Sequence, residues 1–311
     1  MDTVRAQELV AQTGRQLLDM GLVARTWGNI SCRIDKTHCA ITPSGLDYRQ
    51  MKAEDTVLLD IESGKWQGNH KPSGEKGVHM AAYRQFPDAE FVIHTHQNYA
   101  TAIGLSGFDS LDITEEETEA LGGIALAAYG LPGTKKLTNA VADKLKEGNH
   151  TVLMARHGVL VCGRDRDEAM KRVQLLEEIC RRNIKNFGGS ESDAVLKTAE
   201  LGRAVYAQVD DMAQMIGRKI PAAKSPEEAE RLLQKHNAVL VKGEGVRVRA
   251  DSEDDREALV MLAEKACICH LHTLNESSKT RLGIFDIMLM NYVYRHKYSK
   301  QKNGDKYNGE Q

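Results

Sequence analysis

The sequence lacks a surplus of charge of either sign. Its 42 Lys and Arg against 44 Asp and Glu leave a net charge of −2, which argues against nucleic acid or an anionic membrane as the main partner. It lacks any apolar run approaching the ~20 residues that a bilayer-spanning helix needs. It also lacks a cysteine framework. Cys32, Cys39, Cys162, Cys180, Cys267 and Cys269 fall at irregular spacings, and a chain of this length needs no stapling, so free thiols and a reducing cytoplasm are expected. The opening MDTVRAQELVAQ reads as an amphipathic helix with early acidic residues rather than a secretory signal. With 41% hydrophobic and 28% charged residues, the composition is that of an ordinary soluble globular protein. Its 311 residues suit one large domain, or a domain with a smaller companion.

What is present is a succession of short elements. Residues 3–20 read as a helix with Val4, Leu9, Val10, Leu17 and Leu18 apolar, closing at Gly21. Strand candidates follow at NISCRI (29–34), HCAIT (38–42) and TVLLDI (56–61). PSGEKGVHMAAYRQF (72–86) is a Pro/Ser/Gly loop running into a helix. A strand at 90–95 and a helix from Asn98 come next, then an acidic loop, DITEEETEA (112–120), and a short strand, GIALAAY (123–129). A helix at 134–147 leads to strands TVLMARHG (151–158) and VLVCG (159–163). A long helix from Asp165 to Asn186 then carries Ala169, Val173, Leu176 and Cys180 on one stripe. Short strands with helices between and around them predict a helix-flanked sheet of the α/β or α+β kind.

Part of this pattern occurs twice. TVLMARHGVLVCGRDRDEAMKRVQLLEEIC (151–180) aligns without a gap on AVLVKGEGVRVRADSEDDREALVMLAEKAC (238–267). The helix before the second copy, SPEEAERLLQKH, has Ser225 as cap, Pro226 in the first turn and Glu228 at the capping-box position. Three segments are therefore expected: a main domain over 1–190, a lobe over 191–298 that partly and degenerately repeats 137–186, and a disordered tail over 299–311. The alignment sets Glu244 opposite His157, and nothing in the copy matches the histidine strand, so the lobe is expected to be catalytically empty.

Chemistry concentrates in EFVIHTHQNYA (90–100). Period-2 geometry puts His94 and His96 on one face at the end of an apolar strand, and His157, in MARHGVLVC, closes another. Three neutral imidazoles at strand ends suit Zn²⁺ with open positions for water or substrate. Glu75, in KPSGEKG, stands at a loop-to-helix junction and is a candidate acid/base; alone it would read as a dipole-compensating surface residue. Ser73 and Gly74 of the same loop, with WGNIS (27–31) and ITPSGLDY (41–48), could each be a plain turn. Together they would make an anion cradle. CICHLH (267–272) invites a second zinc, but it lies in the repeated helix where Cys267 copies the core-facing Cys180, and no further ligand pair is evident.

WGNISCR, ITPSG, KPSGEKGVHMAAYRQFPDAEFVIHTHQNYATA, YGLPGTKKL and LMARHGVLV occur in the order and spacing of the class II aldolase/adducin family, which residues 5–185 resemble. The resemblance implies an αβα-layered α/β domain and one Zn²⁺ per chain. It also implies a homo-oligomer, usually a C4 tetramer, with sites at subunit interfaces. Carried over residue by residue, it makes His94, His96 and His157 the metal ligands and Glu75 the catalytic group, also able to touch the metal. It makes Gly28, Asn29, Ser44, Gly45, Ser73 and Gly74 the phosphate cradle. The family usually has Ser at the position of Gly74, and Glu116 stands where its sugar-phosphate aldolases carry a loop tyrosine. The expected activity is reversible aldol cleavage of a ketose 1-phosphate, of deoxy-sugar or pentulose type, to dihydroxyacetone phosphate and an aldehyde. A 4-epimerase or dehydratase using the same metal, and a non-catalytic adducin-like scaffold, are the alternatives.

Overall fold

A computed structural model describes residues 1–107, 111–275 and 277–298; the expected disordered tail lies outside them. The chain divides into two compact units, Met1–Gly188 and Gly189–Gln311.

The first unit is built on an eight-stranded sheet. Helix α1 (Thr3–Asp19) is capped by Asp2, whose carboxylate accepts from the Arg5 N–H. Strands β1 (Asn29–Arg33), β2 (His38–Ile41), β3 (Val57–Asp60) and the short β4 (Trp66–Gln67) form an antiparallel meander. Helix α2 (Lys76–Gln85) leads to β5 (Phe91–Thr95), α3 (Asn98–Ser106), α4 (Glu115–Ala120), β6 (Ile124–Ala127) and α5 (Lys135–Lys146). The unit closes with β7 (Thr151–Met154), β8 (Gly158–Gly163) and α6 (Arg166–Arg182). Spatial order is β4-β3-β2-β1-β5-β8-β7-β6, antiparallel except for the parallel pair β6–β7.

Alternation along the strands gives each face its own helices. Cys39, Ile41, Val57, Leu59, Val92, Val152, Leu160 and Cys162 pack with Val78, Ala82 and Tyr83 of α2 and Leu137, Val141 and Leu145 of α5. The α5 trio recurs every fourth residue, so it forms one stripe, and each such burial contributes about 1.5–3 kcal/mol. Helices α1, α3 and α6 pack against strands of the same sheet, and the stripe Ala169, Val173, Leu176 and Cys180 of α6 is wholly buried.

Two expectations are corrected. The stretch read as an acidic loop holds α4, started by a capping box in which Thr114 and Glu117 serve one another's backbone N–H. The long helix ends at Arg182 rather than near 186, with Asn183 as its cap.

The second unit runs α7 (Glu191–Glu200), β9 (Val205–Tyr206), α8 (Asp210–Met215), β10 (Lys219–Ile220), β11 (Ala222–Ala223), α9 (Pro226–Leu233), β12 (Ala238–Val241), β13 (Gly245–Val248), α10 (Glu253–His272), α11 (Ser277–Thr280) and α12 (Ile284–Val293). Its β11-β12-β13 sheet has a parallel pair followed by an antiparallel one, as β6-β7-β8 do. The starts of β12, β13 and α10 fall where the sequence alignment carries those of β7, β8 and α6. Even the turn is shared: Arg156 and its aligned Gly243 both have positive φ, 65° and 78°. All six cysteines of the chain are free and buried. No described helix is long and apolar enough to cross a membrane.

Candidate metal centre

Strand β5 runs antiparallel between β1 and β8, pairing His94 with Asn29 on one side and with Leu160 on the other. His96 follows β5, and His157 sits in the three-residue turn that joins β7 to β8, where Met154 pairs with Gly158. Gly158 is there for lack of room: a Cβ would lie 2.3 Å from the Thr95 carbonyl oxygen. Gly28 answers the same need on the other side, with φ +88° and a would-be Cβ 2.6 Å from the His94 carbonyl oxygen. The turn bearing His96 is anchored from α6. Gln97 donates to the Val173 carbonyl, and the Glu177 carboxylate accepts from the N–H groups of Tyr99 and Ala100 at 2.9 Å each.

These constraints gather Glu75, His94, His96 and His157, whose ligand atoms all lie within 4.8 Å of one another. His94 Nε2 is 3.1 Å from His96 Nε2 and 3.1 Å from Glu75 Oε2. Glu75 Oε1 is 2.8 Å from His157 Nε2. All three histidines are buried, and the Glu75 side chain is 13% exposed.

The donor set fits a divalent cation. His94 Nδ1 lies 2.7 Å from the Val159 carbonyl, an oxygen that only accepts, so Nδ1 carries a proton and Nε2 is the nitrogen aimed at the cluster and available to a cation. Glu75 Oε1 is buried and turned toward His157 Nε2. Ligands held 2.0–2.1 Å from a tetrahedral zinc stand roughly 3.3 Å apart, a spacing that falls between the closest contacts of 2.8–3.1 Å and the 4.8 Å within which all four ligand atoms lie. Burial would raise the Glu75 carboxyl, but the His157 and His94 imidazoles outweigh it and hold Glu75 well below the usual range. The balance favours the carboxylate form of Glu75.

The loops named for phosphate meet beside this centre. Pro43 and Pro72 form a bridge, Ser44 N–H donates to the Lys71 carbonyl, and Ser73 Oγ accepts from the Glu75 N–H. Ser44 and Gly45 are partly exposed, Ser73 is buried and Gly74 is exposed. Asn29 behaves otherwise: it is buried, with its amide donating to Glu75 Oε2 at 3.1 Å and accepting from His79. Glu116 is not brought to the centre within this chain. It lies on α4 and lines a concavity with Asp88, His150, Arg164 and Arg172, toward the opposite end of β5 and β8. Sequence reasoning passed over His79, Ser31 and Tyr83, although polar residues at i, i+4 on α2 and at i, i+2 on β1 interrupt otherwise apolar faces.

A family model described as the class II aldolase and adducin N-terminal domain matches residues 8–184. The chain belongs to this family. Among curated relatives, the 3-oxo-tetronate 4-phosphate decarboxylase of Haemophilus influenzae is 31% identical over 58% of this chain and 88% of its own length. The 5-deoxy-D-ribulose 1-phosphate aldolase of Bacillus thuringiensis serovar kurstaki is 34% identical over 50% and 72%. A solved structure titled L-fuculose 1-phosphate aldolase superposes with a TM-score of 0.53 at 30% identity, over 57% of this chain and 84% of that one. The family resemblance and the α/β fold with its flanked central sheet are thus upheld, and the relatives act on sugar phosphates.

Proposed function

We propose that the chain is a zinc-dependent lyase that cleaves a ketose 1-phosphate reversibly to dihydroxyacetone phosphate and an aldehyde. The observation that carries this reading is the gathering of three imidazoles and one carboxylate at the end of β5. Bound there by His94, His96, His157 and Glu75, a divalent cation supplies Lewis acidity that polarises a carbonyl and offsets negative charge developing on oxygen. Glu75, ionised in its surroundings, takes or returns the proton at the carbon that becomes nucleophilic. Gly28, Ser44, Gly45, Ser73 and Gly74 hold the phosphate away from the reacting bond, and that remote binding fixes the geometry. Asn29 serves Glu75 rather than the phosphate. The protein works in the cytoplasm as a homo-tetramer, and the second unit is a partial repeat without catalysis of its own.

One observation favours a second reading. The Haemophilus relative named a decarboxylase matches 58% of this chain, against 50% and 60% for two relatives named aldolases, and loss of CO₂ next to a carbonyl also leaves charge on oxygen. The metal-loaded protein should be given dihydroxyacetone phosphate with a panel of short aldehydes, and separately a phosphorylated 3-oxo acid. Formation of a ketose 1-phosphate supports the first reading, and CO₂ release without it supports the second. Absence of both reactions from a metal-replete protein would leave the epimerase, dehydratase and scaffold alternatives.

A further inference from the structure

His94 is pinned by the Val159 carbonyl. Glu75 has a longer, freer side chain, and what pins it is a buried series of hydrogen bonds whose directions can be worked out one from the next. Asn29 Nδ2 donates to Glu75 Oε2 at 3.1 Å. A carboxylate only accepts, so this contact fixes which way the amide faces. Asn29 Oδ1 is 2.6 Å from His79 Nε2; an amide oxygen also only accepts, so Nε2 carries the imidazole proton. His79 Nδ1 is then the lone-pair nitrogen and accepts from Ser31 Oγ at 2.7 Å. With its hydrogen so used, Ser31 Oγ accepts from the Tyr83 hydroxyl at 2.8 Å. Asn29, Ser31, His79 and Tyr83 are 3%, 0%, 0% and 2% exposed, so water cannot stand in for a missing partner.

We infer that Tyr83, Ser31, His79 and Asn29 form a positioning relay that keeps the Asn29 N–H turned toward Glu75 and thereby holds the carboxylate with Oε1 facing the histidines. The inference rests on reading Glu75 as a metal ligand and goes beyond it by assigning roles to residues that touch neither metal nor substrate. The series does not conduct protons, since the amide at its Glu75 end cannot accept one and pass one on at neutral pH. Burial, then the neighbouring His94, push the His79 imidazole down to about 3, which keeps it a group with one donor and one acceptor. Without the His79 donor, the Asn29 amide is free to turn its oxygen toward Glu75. An oxygen facing a carboxylate repels it.

The test compares His79→Leu with His79→Gln in the full chain. Leucine keeps the volume and has no donor, whereas the glutamine amide can stand where the imidazole Nε2 stands and donate to Asn29. The primary reading is the affinity for Co²⁺ alone, by chelator competition, with the visible Co²⁺ spectrum and a thermal melt on the same samples. Glu75→Gln serves as the reference for a lost carboxylate ligand. His79→Leu should stay folded, bind Co²⁺ about 10–100-fold more weakly and shift its spectrum toward that of Glu75→Gln, and His79→Gln should restore most of the affinity. A folded His79→Leu that binds Co²⁺ like wild type overturns the relay. Equal weakening in both variants does so too, because packing and not the donor would then be at issue. If His79→Leu does not fold, Ser31→Ala carries the test, expected to weaken binding in the same direction and overturning the relay if it binds as wild type does. A wild-type protein that takes up no Co²⁺ removes the metal reading and the relay together, and so differs from failure in the variants alone.

Discussion

Glu75 shares its two oxygens among the His94 and His157 imidazoles and the Asn29 amide, and its two proposed jobs can be separated by substitution. Glu75→Gln preserves size and hydrogen bonding but cannot accept a proton, so turnover should fall roughly 10²–10⁴-fold, while dihydroxyacetone phosphate binding changes less. Steady-state kinetics checks this, and a near-wild-type rate removes Glu75 from the mechanism. His94→Ala or His157→Ala should lose the bound zinc, measured by elemental analysis, with far-UV circular dichroism unchanged. Stoichiometric zinc retained in either would sink the ligand assignment. His79 gives a prediction about pH. Its ordinary value of 6.5 is pushed to about 3 by burial and by His94, so between those values the unfolded chain binds a proton that the folded chain refuses. Its contribution to stability is full above about 6.5 and declines on acidification by up to ~1.4 kcal/mol per pH unit. In urea unfolding, the stability difference between wild type and His79→Gln should therefore shrink from about pH 7.5 to about pH 5; a constant difference rules the effect out.

At the scale of elements, glycine marks where backbone and site press on one another. Gly28→Ala would force a Cβ against the His94 carbonyl oxygen at a left-handed φ, which should cost on the order of 3 kcal/mol. Gly74 has no heavy atom within 4 Å of a would-be Cβ, so Gly74→Ser should change stability by less than about 0.5 kcal/mol. If the loop binds phosphate, the added hydroxyl should lower KM for the phosphorylated substrate; urea midpoints and kinetics on the two variants check both halves. The same elements show what was legible in the sequence. Most strands from NISCRI to VLVCG were, because a sheet covered on both faces selects β-branched and apolar runs between turn residues; the two-residue β4 was not, and TVLMARHG ends as a strand at Met154, leaving His157 in the turn. Legible too was the closeness of His94 and His96, which period 2 dictates. Helix α4 was not, since a run of glutamates carries no apolar stripe and only the Thr114–Glu117 capping box announces it. The relay was not either: a histidine four residues before a tyrosine reads as helix core until β1 is laid across it. The meeting of the 42–45 and 71–75 loops depends on a long-range bridge that no local pattern encodes.

At the scale of the whole molecule, the cluster Glu75, His94, His96 and His157, the proposed relay and the core formed with α2 and α5 all belong to the unit Met1–Gly188. The second unit has a separate small core of Ala223, Ala229, Leu233, Val239 and Val241. Where the alignment would put a histidine it has Glu244, which is exposed and paired with Arg247 at 2.7 Å. Such a surface pair contributes little, about 0–1 kcal/mol, and offers no metal a second ligand. Glu244→Ala should therefore leave turnover within a few-fold of wild type and the melting temperature nearly unchanged. Helix α12 points to a different use for the unit. Phe285, Met288, Leu289 and Tyr292 recur at helical spacing and are between 53% and 83% exposed, an apolar stripe of the kind that associates. A chain ending at residue 188 should thus keep one bound zinc per chain and lose solubility or change its assembly state. Metal content and light scattering on the truncated protein give independent answers. A folded truncation that holds no zinc would mean the second unit helps to build the metal site, and a Glu244→Ala protein that is folded, assembled and inactive would name the residue by which it does so.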